Sequence, residues 1–338
     1  MCWTTCPRLY FARVFNISLQ PLTSDPKGFK GDLSNGEAGK DEKQSVNLVV
    51  TVIGVVAPVF LLAGIGFGWM RLGFDYPLQF VSRLAMNLAV PALVFTALMQ
   101  AEADLAALGR VALAAVLAHL AVALVGWGLL RGLGYDLRTY LAPFLFGNTG
   151  NIGLPLALFA FGQEGLEIAV VVLAISALGY FTFGIKLVAG RGAGLRMLRE
   201  PMIWATLAGA LCLWQGWQTP EIVTKTLTLL GQMAIPLMLI TLGVAVGRLS
   251  PGRIGPAVAL SVVKFAVCAG VGWGIGHWFG LGPVAFGVLV LQMATPVAVT
   301  GYLLATKYEA DAEAVAGLVV VSTLLAVPFL SLLLSVLI

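Results

Sequence analysis

Charged side chains are scarce in this sequence: they make up 11% of its residues, whereas a soluble domain carries about 25%. Hydrophobic residues account for 59% of the chain, and the mean hydropathy is +0.95. The acidic residues fall in the N-terminal tail or near the ends of predicted helices, so no carboxylate is expected at mid-membrane. This composition excludes a soluble globular protein and indicates an all-α polytopic membrane protein.

Cysteine and histidine are also few, with four and two residues. The four cysteines, Cys2, Cys6, Cys212 and Cys268, lack metal-ligand spacing, which excludes a disulfide framework and a zinc site. The sequence offers no nucleophile–base pair and no cofactor motif, so we expect neither an enzyme nor a bound cofactor or metal. The net charge of +4 is small and gives no reason to expect a nucleic-acid partner.

Long apolar runs fill most of the chain after a polar, glycine-rich segment. Residues 1–46 are expected to form a disordered tail. A membrane-spanning helix needs ~20 apolar residues, and ten such helices are predicted in the bilayer. They are Asn47–Met70, Leu78–Gln100, Ala107–Leu130, Thr139–Gly162, Leu166–Ala189, Met202–Gln218, Thr224–Arg248, Ile254–Phe279, Pro283–Thr306 and Ala312–Leu337.

Basic residues gather in alternate loops, from Arg71 in the first to Lys307 in the last. By the positive-inside rule these loops face the cytoplasm. The prediction is a protein of the inner (plasma) membrane with both termini outside.

One apolar run is interrupted at its middle by the stretch GNTGNIGLP, residues 147–155. Asparagine is costly in hydrocarbon, and proline removes a backbone donor. Non-helical backbone survives at this depth only where it lines a cavity or is buried in protein, so the pattern predicts a broken helix at a substrate site. The alternative is a proline-kinked packing helix. The candidate substrate-binding residues here are Asn148, Thr149, Gly150, Asn151, Gly153 and Pro155.

The two halves of the chain repeat each other. The matched residues are Asn87 with Gln232, Pro91 with Pro236, His119 with Lys264 and, at a slightly different offset, Pro155 with Pro296. Each half holds five predicted helices, an odd number, so the second half is expected to be inverted in the membrane. The predicted architecture is two inverted five-helix repeats, residues 47–189 and 201–338, joined by a cytoplasmic linker at 190–200.

A second break, less polar than the first, runs from Gln292 to Gly301 in the ninth predicted helix. Taken alone, it could equally be an ordinary proline kink. Because inverted repeats place the binding site at their interface, its polar residues and the matched pair in helices two and seven join the candidate substrate site. These residues are Gln292, Thr295, Pro296, Thr300, Asn87 and Gln232.

Two titratable side chains lie within apolar helices. Lys264 is too far from its helix ends to reach water easily. It is either functional or a structural cation that caps carbonyls at the breaks, and in both cases its ammonium could take the place of a bound sodium ion. His119 is either a satisfied interior histidine or the carrier of a coupled proton, since a free imidazole has a pKa of ~6.5.

Several of these motifs resemble one known family. They are NTGNIGLP, MATPVAVTGYLLATKYEAD, STLLAVP and the segment Asn87–Pro91, within a likeness that covers residues 47–338. The family is that of the auxin efflux carriers, which includes the plant PIN proteins and bacterial malate and malonate permeases. The resemblance implies a scaffold of helices one, two, six and seven and a mobile domain of the others. It also implies that helices four and nine cross at their prolines, where an organic anion binds.

The predicted function is secondary transport of small organic anions such as carboxylates by alternating access. Half-helix N-termini and neutral donors at a crossing suit a carboxylate. A sodium-coupled organic anion symporter of the bile acid type is one alternative, and a membrane sensor or channel is another. The lack of mid-membrane acids and the presence of Lys264 disfavour sodium. The substrate, transport direction, coupling ion and oligomeric state stay open, a homodimer included.

Overall fold

The structure, a computed structural model, describes residues 38–101, 104–189, 201–249 and 254–338, with side chains from residue 50 onwards. By its internal contacts the chain divides between Gln44 and Ser45. The described part of the smaller unit, residues 38–44, is helical. Most of the predicted disordered tail and the whole predicted linker at 190–200 lie outside the described residues.

Helices make up nearly all of the described ranges, which contain no β-strand. The α-helices are α1 (Ala38–Arg71), α2 (Leu78–Leu84), α3 (Val90–Met99), α4 (Leu105–Gly132), α5 (Leu137–Leu145), α6 (Leu154–Gly179), α7 (Ile185–Ala189), α8 (Pro201–Gln215), α9 (Glu221–Gln232), α10 (Ala234–Arg248), α11 (Ile254–Trp278), α12 (Pro283–Met293), α13 (Val299–Lys307) and α14 (Ala312–Leu337). Within the described ranges, seven helical stretches are long and apolar enough to cross a membrane. The predicted multi-pass, all-α membrane protein is thereby confirmed. The first helix begins at Ala38 rather than at the predicted Asn47.

Two of the helix irregularities lie beside prolines. A π-helical turn at Ala85–Ala89 joins α2 to α3, and Pro91 follows it. In the second half, α9 ends at Gln232 and α10 begins at Ala234, just before Pro236. A proline lacks the N–H that would bond the carbonyl four residues earlier, so a regular helix cannot continue through either position.

A change of chain direction falls inside α6. Gly162 has a φ of 66°, outside the helical region, and separates two helical parts. Glycine adopts this conformation without a steric penalty. The turn lies at the predicted end of the fourth helix.

Glycines allow two helices to approach closely. A Cβ on Gly66 of α1 would overlap the Ile240 carbonyl, and one on Gly243 of α10 would overlap the Ala63 carbonyl. Small residues of this kind let two membrane helices pack closely. Gly64, which has open space around it in the described structure, makes no such contact.

Candidate functional site

The two interrupted helices meet at their breaks. Gly147 and Val297 form an isolated antiparallel bridge, and the Asn148 N–H donates to the Pro296 carbonyl at 2.7 Å. The Val297 N–H donates to the Ser322 hydroxyl of α14 at 3.0 Å. Two short non-helical segments thus supply hydrogen-bond partners that hydrocarbon could not. We call this region, residues 146–153 and 292–298, the crossing.

The crossing requires glycine at position 147. A Cβ there would overlap the Thr295 hydroxyl and crowd the Thr295 carbonyl. Gly153 faces the Gln292 side-chain amide in the same way. The Thr295 hydroxyl is itself fixed, because it donates to the Gln292 carbonyl at 2.8 Å. A side chain at either glycine would push the two segments apart.

Lys264 places its ammonium at the crossing. The residue is 1% exposed, and Nζ donates to the Thr295 carbonyl at 2.9 Å. Cys268 Sγ lies 3.9 Å from the same nitrogen. In a continuous helix that carbonyl would accept the N–H of Val299, which the break removes. This geometry matches the capping cation that the sequence allows, and a part for Lys264 in transport stays a prediction.

A cavity of about 590 Å³ adjoins the crossing. That volume suits a small ligand, since ligand sites span about 300–1,000 Å³. Both breaks contribute to its wall, and the π-helical turn before α3 adds a third segment. The predicted site residues that line it are Asn148, Thr149, Gly150, Asn151, Thr300 and Asn87.

The other predicted site residues lie outside this lining. Those buried at or beside the crossing are Gly153, Pro155, Gln292, Thr295 and Pro296. Gln232 is exposed at the end of α9, so the repeat relation with Asn87 does not bring both amides to the cavity. His119 places Nδ1 2.8 Å from the Ala115 carbonyl, and its ring stacks on Phe146 with centroids 6.1 Å apart. These are the contacts of a satisfied interior histidine.

Asn148 offers a buried side-chain donor to the cavity. Its Oδ1 accepts the Asn151 N–H at 3.2 Å, which caps the π-helical turn that follows. Its Nδ2 is buried and has no hydrogen-bond partner among the described residues. A buried amide donor without a partner is costly, so this N–H group is a candidate ligand contact.

A helix N-terminus reinforces this donor. α13 begins at Val299 without a side-chain cap, and Val299 and Thr300 line the cavity. The free N–H groups of a first helical turn carry partial positive charge. The crossing therefore offers neutral and partially positive donors, which suit a carboxylate.

Two arginines of the cavity wall were not among the predicted site residues. Arg83 lies in the last turn of α2 and Arg248 in the last turn of α10, and both line the cavity. Arginine near a helix end is ordinarily interfacial, so the sequence by itself gives no reason to assign either residue to the site. Of the described residues that line the cavity, none is Asp or Glu. The cavity is therefore electropositive.

A second cavity, of about 450 Å³, lies among helix ends. Asp136 on its wall caps α5, accepting the Thr139 hydroxyl at 2.6 Å and the Thr139 and Arg138 N–H groups at 3.0 and 3.2 Å. These bonds, the hydroxyl's first, hold the pKa of Asp136 below its usual value. Arg138 in turn donates to the Val188 and Tyr308 carbonyls. These polar groups are engaged in joining helix ends.

The fold is that of a multi-pass membrane protein whose two broken helices meet beside a largely apolar cavity with polar groups at the crossing. The family model described as membrane transport protein matches residues 51–200 and 191–334. The chain belongs to this family, that of the auxin efflux carriers, as its motifs indicate.

Three relatives are similar along much of the chain. An uncharacterized transporter of Methanothermobacter thermautotrophicus is 28% identical over 260 residues, covering 72% of this chain and 84% of the relative. An uncharacterized transporter of Methanocaldococcus jannaschii is 26% identical over 193 residues, covering 53% and 61%. A Rhizobium meliloti protein named "Putative malonate transporter" is 23% identical over 303 residues, covering 82% and 92%. These names describe transporters and not enzymes.

Proposed function

We propose that this chain is a permease for small organic anions, carboxylates foremost, which bind at the crossing. The observation that carries the proposal is the donor set on the cavity wall: the buried Asn148 amide, without a partner among the described residues, beside the uncapped start of α13. An anion would satisfy both groups of donors. Among the described residues of the lining there is no carboxylate that would repel it. The name of the Rhizobium meliloti relative makes malonate the first substrate to test.

Alternating access is supported by how the helices group. α3 packs on α8 and α9, and α10 packs on α2 and α9. α11 packs on α4, α12 and α14, and α6, which follows the first break, packs on α4 and α12. Met238 of α10 and Asn148 of the crossing both line the cavity, which therefore lies between the two groups. Movement of one group against the other would open and close the path to the crossing.

The proposed topology is ten spans in two inverted repeats, 47–189 and 201–338. Its support is the matched placement of irregular backbone, at Ala85–Ala89 against Gln232–Ala234 and at one break in each half. The loops rich in Lys and Arg would then face the cytoplasm, and both termini would lie outside.

Cysteine labelling tests this topology. A cysteine at Ala189 is expected to react only with reagents that reach the cytoplasm, and one placed after Ile338 only with reagents applied outside. The reason is that five spans, an odd number, separate them in the proposed topology. Cells are labelled before and after permeabilisation, in a background whose other accessible cysteines are replaced. Labelling of both positions from one side would rule out the inverted arrangement.

Sodium coupling is the second candidate. Sodium carriers hold the ion with oxygen atoms, and at this crossing the Thr295 carbonyl is already occupied by the Lys264 ammonium at 2.9 Å. We therefore favour transport without a bound sodium ion. A sensor or a channel is less well supported, because a channel requires a continuous polar path, and the cavity wall is mostly apolar away from the crossing and the two arginines.

Uptake into liposomes tests the function. Liposomes that contain the purified protein and carry an outward or inward malonate gradient are expected to accumulate labelled malonate. Other carboxylates are expected to compete with this uptake, and glucose is not. Malonate is also expected to raise the melting temperature of the purified protein, because ligand bound to the folded state stabilises it. Melting shifts without uptake would favour a sensor. The absence of both, across mono- and dicarboxylates, would contradict the proposal.

A further inference from the structure

The polar groups of the cavity wall include two sets that differ in burial and charge. One set is buried and belongs to the crossing, with Asn148 at 5% exposure. The other set is exposed and consists of the guanidinium groups of Arg83 and Arg248, on different helices. The cavity thus runs from neutral amide and N–H donors to full positive charge. An anion at the crossing would lie at one end of this gradient only.

The two arginines differ in their hydrogen bonds to the rest of the protein. Arg248 donates through Nη2 to the Tyr76 carbonyl at 2.6 Å, which fixes its position. The Tyr76 hydroxyl in turn lies 2.8 Å from the Thr241 hydroxyl, and Thr241 also lines the cavity. The Arg83 guanidinium has no hydrogen bond or ion pair with any described residue. Arg83 is therefore the group whose donors are available to a ligand.

Arg83 shares one cavity wall with the crossing. It lies four residues before Asn87, and both line the cavity. At a rise of about 1.5 Å per residue, their Cα atoms are separated by roughly 6 Å along the helix. Because Arg83, Asn87 and Asn148 all line this cavity, a ligand bound at the crossing lies in the same cavity as the Arg83 guanidinium.

We propose that Arg83 binds a second carboxylate of the substrate and makes the protein prefer dianions to monoanions. This inference rests on the proposed function, since it requires one carboxylate at the crossing. A guanidinium offers a planar, two-pronged donor that matches a carboxylate, so it contributes geometry as well as charge. The neutral donors of the crossing accept either kind of anion, and the discrimination comes from Arg83.

Malonate and propionate test the proposal, because they have the same number of carbon atoms and differ by one carboxylate. Binding of each is measured by calorimetry and by competition of uptake in liposomes, for the unsubstituted protein and for Arg83→Gln. The substitution is expected to weaken malonate binding by about tenfold or more, the effect of losing a charge-assisted hydrogen bond. Propionate binding is expected to change by less than about twofold, because it does not use the lost contact.

Two further variants serve as controls. Arg83→Lys keeps the positive charge but lacks the planar, two-pronged donor of the guanidinium. Its affinity for malonate is expected to lie between those of Arg83→Gln and the unsubstituted protein. Arg131→Gln removes another exposed arginine from the last turn of a helix, one that stands over Trp127 and not on the cavity wall. It is expected to change neither ligand's binding.

The outcomes separate the two proposals. Equal loss of malonate and propionate binding in Arg83→Gln, or no loss of either, would overturn the dianion role while leaving anion transport intact. Equal affinity of the unsubstituted protein for both ligands would overturn it as well. Failure of the unsubstituted protein to bind any carboxylate would overturn the proposed function itself.

Discussion

Replacing Lys264 with methionine is expected to abolish most transport while leaving the protein folded and as heat-stable as before. The ammonium is fully buried and contacts one carbonyl and one thiol, so the helix carries an expensive charge that methionine would remove. Against this gain, the Thr295 carbonyl loses a charge-assisted hydrogen bond of about 1.5–3 kcal/mol. Removal of the buried charge and loss of the hydrogen bond have opposite effects on the free energy of unfolding. Transport is expected to fall because the Thr295 carbonyl is no longer held in place at the crossing.

The measurement is uptake in liposomes beside the melting temperature of the same preparation. Ser261→Ala is the matched control, since Ser261 is fully buried in α11 and its hydroxyl has no hydrogen-bond partner among the described residues. That variant is expected to retain transport. Lys264→Ala leaves room at the Thr295 carbonyl, and its residual uptake is expected to rise with sodium. Full activity of Lys264→Met, unchanged by sodium, would assign the lysine a purely structural part.

Replacing Asn148 with aspartate is expected to weaken carboxylate binding by about a hundredfold, or about 2.7 kcal/mol. The aspartate side chain can still accept the Asn151 N–H, as Asn148 Oδ1 does at 3.2 Å. The local backbone conformation is therefore expected to stay the same. The donor Nδ2 is lost, and a negative charge replaces it in a buried position. Asn148→Ala lacks the donor without adding charge and is expected to cost about 1–3 kcal/mol.

Calorimetry with malonate measures these losses. Gln232→Glu makes the same amide-to-carboxylate change at an exposed residue outside the cavity and is expected to leave affinity within about twofold, because exposed charges are strongly screened by solvent and salt. Unchanged affinity in both Asn148 variants, with folding verified, would remove the crossing's principal side-chain donor from the site.

The broken helix was predictable because its causes are local. Two asparagines and a proline cannot sit in a membrane helix without partners, whatever surrounds them. The sequence alone therefore indicated where α5 would end and that the polar gap would matter. The turn at Gly162 was also predictable from the local sequence, because Gly162 lies where one apolar run ends and before the next begins.

Other features depend on contacts between distant segments, and the sequence does not specify them. The pairing of Gly147 with Val297 and the bond from Lys264 to Thr295 arise only when helices far apart in the chain pack together. Gln232 shows the limit of the repeat argument, because a matched position need not face the same cavity. Arg83 was missed because nothing distinguishes it locally from an interfacial arginine.

The bridge between Gly147 and Val297 has a consequence for biogenesis. The ribosome delivers the first segment to the membrane long before the second, and until then the Asn148 N–H lacks the Pro296 carbonyl that satisfies it. A nascent chain that stops after its first half therefore presents unpaired backbone to lipid. The crossing is therefore expected to form only after the second half of the chain has entered the membrane.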